Sequence, residues 1–551
     1  MSKCLLEAFQ LTKSFGDRKV LEIPELRIYS GDRIGVVGAN GSGKTTLLNL
    51  LSGALAPDGG VVTRHCGISY LQQFGVPEQE AVREQLGRFG VAGRAGAQAV
   101  SGGEAARKKL AGTFENLQDL VFADEPTANL DFQGIRLFCE HMAQAHTFLL
   151  ISHDRSVLEQ LCSRILEVKD GTVTCYDGDF AFYQQEQQRR EARAWKEYEQ
   201  YQEKKSRLTH IYRQKKQKAQ SAGTAPKNIS PREARLRNFL ASRPYDVKQK
   251  NMERAAAAVK SRLDHLEVKE KPKELLLTSF DFSLTDPPAN KIVLRGENIS
   301  LRFGKRVLLE NGGFLLPHGT KTALMGVNGC GKTTLLRLIA AAQEGTHADT
   351  IHLVPKARIG YFRQGLENLD LQKNVLENVM EHAVQPESTV RNLLARLLFR
   401  DDDVRKPASV LSGGERIKLS FAQLFASPSN LLLLDEPTNY LDLPSIEALQ
   451  TMLQEYEGTV LLVSHDKAFL RAVANRLLLM KKKRLETFDG TLDMYESRSK
   501  EKNEVLPDAT RAVLELRLTA VVSRLSLAAP GEKEALEQEY QSLLRQLRRQ
   551  A

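Results

Sequence analysis

Short apolar runs separated by glycine-rich turns recur in the first and the last third of the chain. Alternating apolar residues at Leu5, Ala8 and Leu11 predict a strand, and the unbroken apolar run at residues 34–37 predicts a short buried strand. A glycine-rich turn follows, and the leucines at residues 47–51 then have the pattern of a buried helix. The order strand, turn, helix predicts an α/β domain.

The same order of elements and motifs returns in the last third of the chain. The glycine-rich turn at residues 38–46 recurs 288 residues later, at residues 326–334. Four further pairs of motifs follow in the same order in both halves: residues 70–73 and 361–364, 100–104 and 411–415, 120–127 and 431–438, and 151–154 and 463–466. Because chance does not reproduce a complete ordered series, the sequence predicts two copies of one domain in tandem.

A long polar segment without glycine or proline lies between the two copies, from Tyr183 to Ala222. If this segment is a helix, it carries an apolar stripe along one side. A second stretch carries apolar residues spaced alternately four and three positions apart, a 4-3-4-3 seam that is typical of two helices packed along each other. The stripe consists of Trp195, Tyr198, Tyr201, Leu208, Ile211 and Tyr212, and the seam of Met252, Ala256, Val259, Leu263 and Leu266. We expect an antiparallel helical hairpin, with a short capped helix starting at Ser230 in its tip, residues 222–245.

The tail after about residue 508 predicts two more helices, broken at residues 529–531. Their apolar faces are formed by Leu514, Leu518, Val521, Val522 and Leu525, and by Leu536, Tyr540, Leu543, Leu544 and Leu547. This pattern fits a hairpin that packs only on itself and one that also binds a partner. The expected domains are residues 1–182, 183–274 (the linker), 275–498 and 499–551.

The apolar runs and the cysteines of the chain indicate its cellular location. The chain has no run of apolar residues long enough to span a membrane, and its first residues lack the apolar core of a secretory signal. The six cysteines have neither paired nor metal-binding spacing. These features favour a reduced, cytoplasmic location.

The positive charge is concentrated in the linker. The chain carries a net charge of +10, whereas residues 204–262 alone hold 17 Lys or Arg against 3 Asp or Glu. A charge run is typically a solvated helix face, but solvation does not require a single sign, and interleaved aromatics suit RNA. The candidate RNA-binding residues are Lys215, Lys216, Lys218, Lys227, Arg232, Arg235, Arg237, Phe239, Arg243, Tyr245, Lys248 and Lys250.

Both glycine-rich turns have the pattern of a P-loop between a strand and a helix. Backbone N–H groups and the helix N-terminus would bind the phosphates, the lysine would reach the β- and γ-phosphates, and the threonine would bind Mg²⁺. The candidate ATP-binding residues are Gly38, Asn40, Gly41, Ser42, Gly43, Lys44, Thr45 and Thr46 in the first turn, and Gly326, Asn328, Gly329, Cys330, Gly331, Lys332, Thr333 and Thr334 in the second. ATP and Mg²⁺ are therefore the expected cofactors.

With Walker A, Q-loop, signature, Walker B, D-loop and H-switch motifs in order, both halves resemble ABC-type ATPase domains. Two such domains joined by a charged helical linker resemble the ABC-F family of ribosome-associated ATPases. The resemblance implies two ABC-type P-loop ATPase domains of the α/β class in tandem, joined by a long antiparallel α-helical hairpin, plus a C-terminal α-helical hairpin. It assigns catalysis to Glu125, Glu436, His153 and His465, and metal binding to Thr45, Gln73, Asp124, Thr333, Gln364 and Asp435.

The resemblance further implies that the two halves close head to tail around two ATP molecules. Each signature motif would bind the γ-phosphate held by the other half, so that Lys44 pairs with Ser412 and Lys332 with Ser101. The signature residues are Ser101, Gly102 and Gly103, and Ser412, Gly413 and Gly414. In ABC domains an aromatic residue stacks on adenine at the position of Phe15 and Phe303, each 29 residues before the Walker A lysine, although a strand-end phenylalanine is equally often a core residue.

In ABC-F proteins the linker enters the ribosomal E site, contacts P-site tRNA and directs its tip towards the peptidyl-transferase centre. Ser101 follows Gln73 by only 28 positions, which leaves no room for an inserted arm. Together with the elaborate tip and the tail, this resembles the antibiotic-resistance branch, of the virginiamycin M and lincomycin resistance type. The expected protein is a monomeric, ATP-hydrolysing protector of the ribosome against antibiotics. The alternatives are a housekeeping translation factor, the ATPase subunit of an ABC transporter, and a DNA-associated ABC ATPase, which would carry longer coiled coils or zinc motifs.

Overall fold

The chain forms two units, Met1–Asp177 with Thr278–Ala551, and Gly178–Leu277. The first unit contains both ATPase halves and the second contains the linker. The computed structural model describes residues 3–71, 118–128, 130–222, 250–269, 271, 288, 290–304, 306–346, 349–363, 369–399, 402–498, 517–518, 521, 536 and 539–543.

The described part of the first half contains two sheets. One has the strand order β2-β1-β4, and the other has the order β5-β6-β7-β3-β8-β9 and is parallel except for β9. The strands are β1 Cys4–Phe15, β2 Arg18–Tyr29, β3 Arg33–Val37, β4 Gly59–Arg64, β5 Ile68–Leu71, β6 Leu120–Asp124, β7 Phe148–Ile151, β8 Arg164–Lys169 and β9 Thr172–Tyr176.

The second half repeats this topology strand for strand. Its orders are β11-β10-β13 and β14-β15-β16-β12-β17-β18, and only β18 is antiparallel in the larger sheet. The strands are β10 Ile292–Phe303, β11 Arg306–Pro317, β12 Lys321–Met325, β13 Ile351–Leu353, β14 Ile359–Phe362, β15 Leu431–Asp435, β16 Thr459–Val463, β17 Arg476–Lys481 and β18 Arg484–Asp489. The repeat seen in the motifs is thus a repeat of the fold.

Helices pack against the larger sheet of each half. The helices of the described residues are α1 Lys44–Ser52, α2 Phe132–Met142, α3 Arg155–Leu161, α4 Phe180–Ala222, α5 at residues 250–264, α6 Lys332–Ala341, α7 Val375–Met380, α8 Glu387–Arg396, α9 Gly413–Ala426, α10 Leu443–Glu455, α11 Lys467–Val473 and α12 at residues 492–498. Short 3-10 turns lie at Ala342–Glu344, Asp403–Arg405 and Ala408–Val410. Aspartate side chains cap the N-termini of α2, α3, α10 and α11, as their carboxylates accept the unpaired N–H groups there.

The central strands are buried along their whole length. Every residue of β6, β7, β15 and β16 is inaccessible to solvent, as expected for parallel strands with helices on both faces. This explains why these strands appear in the sequence as unbroken apolar runs. The carboxyl ends of parallel strands meet at one edge of the sheet, so the motifs that follow them are brought together.

The linker unit is an antiparallel pair of helices in its described part. The first helix, α4, runs for 43 residues. Glu197 pairs with Lys269 at 4.0 Å, and Lys271 lies 5.7 Å from the centre of the Trp195 ring, so the first half of α4 lies beside the segment that follows α5. The predicted hairpin is confirmed, whereas the tip lies outside the described residues.

Burial along the linker follows the predicted seam. Ala256 and Val259 are buried, and Met252, Leu263 and Leu266 are half-buried, while the intervening positions are mostly exposed. On α4, Tyr201 and Ala219 are buried on the facing side. The seam therefore packs helix on helix, as its 4-3-4-3 spacing predicts.

Part of the tail is described. Val521, Leu536 and Leu543 form a small apolar cluster with Leu518 and Tyr540, which agrees with two helices that pack on each other. The predicted break at residues 529–531 lies outside the described residues. Among the residues that the structure describes, none of the helices is both long and apolar enough to cross a membrane.

Two candidate nucleotide sites between the ATPase halves

Each ATPase half gathers its motifs at the carboxyl edge of its larger sheet. In the first half β3 lies between β7 and β8, and β6 lies next to β7. The strand order therefore places the glycine-rich turn after β3 beside Asp124 at the end of β6 and His153 just after β7. The second half does the same with Asp435 and His465.

The two glycine-rich turns have the conformation of a phosphate-binding loop. Gly41 and Gly43 have φ angles of 72° and 105°, and Gly329 and Gly331 have 71° and 109°, values that side chains disfavour. The Lys44 ammonium donates to the carbonyls of Gly38 and Ala39 at 2.9 and 3.0 Å, which holds it inside the loop. Phosphate oxygens fit this cradle, because the start of α1 adds N–H donors and a positive dipole.

An unpaired hydroxyl in the first turn also suits an anionic ligand. The Ser42 Oγ is buried, and no described residue of the protein hydrogen-bonds to it.

The Lys332 ammonium of the second turn donates to the Gly326 carbonyl at 2.8 Å. Burial lowers the pKa of Lys44, and the carboxylates of Glu125, Asp442 and Asp124 oppose that shift. A buried lysine in need of counter-charge favours a bound phosphate.

A hydroxyl and a carboxylate meet beside each turn. Burial raises the pKa of Asp124, and a hydrogen bond with the Thr45 hydroxyl opposes the shift. Asp435 has the same relation to Thr333. One hydroxyl and one carboxylate next to a phosphate-binding loop are the protein oxygens that Mg²⁺ uses in nucleotide sites, with water and phosphate oxygens as its other ligands.

Glu125 and Glu436, the residues after the buried aspartates, are held in an unusual backbone conformation. Their φ angles are 46° and 51°, a left-handed conformation that costs a residue with a side chain about 1–3 kcal/mol. Each glutamate faces a histidine: His153 Nε2 lies 3.2 Å from Glu125 Oε1, and His465 Nε2 lies 3.2 Å from Glu436 Oε1. The surrounding structure therefore holds each glutamate in a strained conformation that places its carboxylate beside the histidine.

The two glutamate–histidine pairs differ in their electrostatics. Burial raises the pKa of Glu125, but the hydrogen bond and charge of His153 outweigh it and leave the pKa below its usual value. Burial raises the pKa of Glu436 to about 7, against the opposing charge of Lys332. The Lys332 ammonium also lies 3.2 Å from His465 Nε2. The pKa of the glutamate is thus shifted in opposite directions in the two sites, although the distance from glutamate to histidine is the same.

The two halves bind each other through their D-loops, the short segments that end at Asp131 and Asp442. Asp131 of the first half accepts a hydrogen bond from the Asn328 N–H of the second glycine-rich turn at 2.9 Å, and Asp442 accepts one from the Asn40 N–H of the first turn at 2.9 Å. Asn40 also donates through its side chain to the Tyr440 carbonyl at 2.9 Å. Each nucleotide-binding turn is thus held by the opposite half.

The signature of the second half lies against the first turn. Ser412 caps α9, and its hydroxyl and Glu415 form a capping box. A Cβ on Gly414 would come within 2.7 Å of Asn40 Nδ2 and 3.1 Å of the Tyr440 carbonyl oxygen, so a larger residue would displace the Asn40 side chain. This end of the interface has the predicted head-to-tail arrangement. Its counterpart cannot be described, because Gln73, Ser101, Gly102, Gly103 and Gln364 lie outside the described residues.

A small cavity of about 80 Å³ lies between the halves and is lined by equivalent residues of both. They include Glu125, His153 and Asp154 from the first half, and Glu436, His465 and Asp466 from the second. Burial raises the pKa of Asp466 to about 6, and the negative charge of Asp154 adds to the shift. At the rim, Arg155 pairs with Glu447 of the other half at 2.7 Å.

The aspartates of this interface are not among the site residues predicted from sequence. Asp131 and Asp442 stand in the D-loops, and Asp154 and Asp466 directly follow the H-switch histidines. The available signal was position: all four aspartates precede a helix and recur at equivalent places in the repeat. The sequence of one helix cap does not show that its second oxygen reaches another domain.

The two predicted adenine-binding phenylalanines are both on the surface. Phe15 is 53% exposed and Phe303 is 78% exposed, so the alternative that they are core residues is wrong. The Lys13 ammonium lies 5.7 Å from the centre of the Phe15 ring. An exposed ring at a strand end is available to stack on a planar ligand.

Four of the predicted RNA-binding residues lie within the described helices. Lys216, Lys218 and Lys250 are exposed, whereas Lys215 is half-buried on the side of α4 that carries Tyr201 and Ala219. The others lie outside the described residues: Lys227, Arg232, Arg235, Arg237, Phe239, Arg243, Tyr245 and Lys248.

Comparison with known proteins gives consistent matches. A sequence model of the ABC transporter family matches residues 21–128 and 309–439. The chain is 33% identical over 487 residues to the erythromycin resistance ATP-binding protein MsrA of Staphylococcus epidermidis, an alignment that covers 86% of this chain and 97% of the relative. It is 30% identical over 543 residues to the ribosome protection protein VmlR of Bacillus subtilis, an alignment that covers 97% of this chain and 96% of the relative.

The fold also resembles solved structures. An archaeal ribosome recycling factor, crystallised with a ribosomal stalk protein, superposes with a TM-score of 0.60 at 18% identity and covers 90% of this chain and 92% of its own. At that identity the similarity concerns the fold, which is two ABC-type ATPase domains in tandem.

Proposed function

The chain belongs to the ABC-F family and is an ATPase, and from this premise we propose that it protects the ribosome from antibiotics that act at or near the peptidyl-transferase centre. The single observation that carries the proposal is the combination of a closed pair of ATPase halves with a separate helical hairpin rich in positive charge. The domain division proposed is residues 1–182, 183–274, 275–498 and 499–551.

In the proposed cycle, ATP binds between the halves and holds them closed. Lys44 and Lys332 neutralise phosphate charge, and Ser412 of one half reaches the γ-phosphate held by the other. Mg²⁺, held by the hydroxyl and carboxylate beside each turn, would neutralise charge on the β- and γ-phosphates. Phe15 and Phe303 would stack on adenine.

Hydrolysis would use the strained glutamates. Glu125 and Glu436 accept a proton from the water that attacks the γ-phosphorus, as the bond from that phosphorus to the bridging oxygen breaks and ADP and phosphate form. His153 and His465 hold the glutamates and the γ-phosphate in register. Loss of the γ-phosphate removes the ligand shared by both halves, so that they open. Gln73 and Gln364 would complete the metal sites.

The ribosome is the proposed partner of the linker. One relative is named as a ribosome protection protein, and 17 basic residues in a segment of 59 suit a phosphate backbone. Exposed Lys216, Lys218 and Lys250 would contact rRNA or tRNA, together with the basic and aromatic residues of the tip. The hairpin would enter the E site from the cytoplasm and approach P-site tRNA.

Protection from drugs is supported by the names of two relatives and by the short interval between Gln73 and Ser101. The test is growth of a drug-sensitive bacterium, with and without the gene, on a panel of ribosome-targeting antibiotics. We expect higher tolerance to lincosamides, streptogramin A and pleuromutilins, lost when residues 222–245 are deleted. The panel includes erythromycin because one relative is named for it.

The second candidate is a housekeeping translation factor of the same family, because relatives at 30–33% identity do not separate the two roles. Unchanged tolerance to every drug, with the protein still bound to ribosomes, would favour it. Recovery of the protein with membranes would instead favour the ATPase subunit of a transporter.

A further inference from the structure

An aromatic residue of the first half packs on the catalytic histidine of the second. Phe132 is the first residue of α2, and its ring meets the His465 ring edge to face, with centres 5.1 Å apart and planes at 75°. The Lys467 ammonium of the second half lies 5.8 Å from the centre of the same ring. Phe132 is thus held between two residues of the opposite half.

The His465 side chain contacts two other residues of the second site. Its Nε2 lies 3.2 Å from Glu436 Oε1 and 3.2 Å from the Lys332 ammonium. A ring nitrogen has one in-plane bonding direction, along which Nε2 either donates to the Glu436 carboxylate or accepts from the Lys332 ammonium, so each of these bonds requires a particular rotation of the ring. An edge-to-face neighbour restricts this rotation and adds about 0.5–1.5 kcal/mol of its own.

The residue before Phe132 contacts the same site. Asp131 accepts a hydrogen bond from the Asn328 N–H in the second glycine-rich turn at 2.9 Å. Two consecutive residues of the first half therefore touch both the phosphate-binding turn and the histidine of the second site. Closure of the halves brings both contacts into place together.

The first site lacks an equivalent ring in its sequence. Leu443 follows Asp442, as Phe132 follows Asp131, and a leucine has no aromatic edge or face. The hydrogen bond from Asp442 to the Asn40 N–H is present, so the D-loops share their polar contact and differ at the next residue.

We propose that Phe132 is a positioning residue of the second ATP site, which limits the rotation of the His465 ring and so keeps its Nε2 beside Glu436 and Lys332. Closure then organises the second site through an aromatic side chain that is a leucine, Leu443, at the equivalent position of the first site. This inference rests on the proposed roles of Glu436 and His465 in hydrolysis.

The test measures each site separately. Glu125→Gln confines hydrolysis to the second site, and Glu436→Gln confines it to the first. In the Glu125→Gln background we expect Phe132→Leu to lower kcat roughly three- to tenfold, with the KM for ATP changed less than about twofold. In the Glu436→Gln background the same substitution should leave kcat within about twofold. Phe132→Tyr, which keeps the ring, should restore the rate.

Each alternative gives a different result. If Phe132 served only to pack the two halves, Phe132→Leu would lower kcat equally in the Glu125→Gln and Glu436→Gln backgrounds, and Phe132→Tyr would not restore kcat selectively in either. That result would overturn the inference. An unchanged kcat in both backgrounds would overturn it as well. Phe132→Met, whose unbranched and flexible side chain fills irregular space, replaces leucine if the leucine variant does not fold. Hydrolysis that persists in the Glu125→Gln/Glu436→Gln double variant would overturn the catalytic roles themselves, and the inference with them.

Discussion

At the scale of single residues, the interface depends on aspartates that use both carboxylate oxygens. Oδ1 of Asp131 accepts the Gly134 N–H and caps α2, while Oδ2 accepts the Asn328 N–H of the other half. Asp442 divides its oxygens in the same way between Ser445 and Asn40. One side chain therefore stabilises a helix and joins two domains.

Replacing these aspartates by asparagine separates the two tasks. An asparagine keeps the Oδ1 that caps the helix but turns an N–H donor towards the N–H of the opposite turn. A hydrogen bond to a charged group contributes about 1.5–3 kcal/mol, so Asp131→Asn or Asp442→Asn should lower ATPase activity roughly ten- to hundredfold at equal protein stability. Steady-state hydrolysis and thermal unfolding measure the two effects. Equal activity in the variants would show that closure does not need these bonds.

The buried aspartate Asp466 predicts a dependence on pH. Its pKa is raised from 3.8 to about 6, first by burial and then by the charge of Asp154, against the opposing charge of Arg155. Because the folded pKa exceeds the unfolded value, folding is favoured most below pH 4, and this contribution is lost as the pH rises to about 6. Asp466→Asn stays neutral and keeps the Oδ1 that accepts the Phe469 N–H.

We therefore expect the melting temperature of Asp466→Asn, relative to the unmodified protein, to rise by a few degrees between about pH 4 and pH 7. The control is Asp493→Asn, since Asp493 is an exposed partner of Arg471 at 2.8 Å. A constant difference for Asp466→Asn across this range, or an equal trend in the control, would contradict the pH dependence.

The candidate residues of the nucleotide sites could be selected from sequence, whereas their partners across the interface could not. Lys44, Thr45 and Asp124 belong to motifs whose spacing is fixed by a local strand–turn–helix unit. The contact of Asn40 with Tyr440 joins residues 400 positions apart, and no periodicity encodes it. The same holds for Phe132 and His465.

At the scale of elements, the linker hairpin shows how a seam of small side chains sets helix packing. Ala256 is buried in the seam, whereas Ala257, the next residue, is exposed. A carboxylate at residue 256 would be buried without a partner, which costs several kcal/mol, whereas at residue 257 it would be solvated. The two positions provide a matched pair with the same change in charge.

We expect Ala256→Asp to open the hairpin and Ala257→Asp to leave it intact. Limited trypsin digestion measures this directly, because the linker is rich in Lys and Arg. Ala256→Asp should be cut in the linker at least tenfold faster, with the melting of the ATPase halves unchanged. Equal cleavage of both variants would show that α4 and α5 do not depend on this seam.

Most elements could be predicted because their patterns are local. An unbroken apolar run identified β3, and the 4-3-4-3 spacing identified α5. The sequence analysis placed the start of the long helix at Tyr183, and α4 starts at Phe180. Phe180 has the side chain of a typical core residue, and an apolar residue in the sequence does not mark where a helix begins.

At the scale of the whole molecule, the repeat explains both the symmetry and its limits. Two halves of identical topology bring equivalent residues to one interface, where each D-loop holds the opposite turn. The substitutions between the repeats, such as Phe132 for Leu443, make the two sites unequal. Sequence alone predicted the head-to-tail pairing through family resemblance, since no pattern within one half specifies the surface of the other.

The central claim is that ATP-dependent closure of the halves drives binding to the ribosome. The most direct measurement is co-sedimentation of the Glu125→Gln/Glu436→Gln variant with ribosomes in ATP and in ADP. The account predicts stable association in ATP and little in ADP, because ATP is bound but not hydrolysed and the halves stay closed. Adding Lys44→Ala and Lys332→Ala should abolish the association. Equal sedimentation in ATP and ADP would contradict the account.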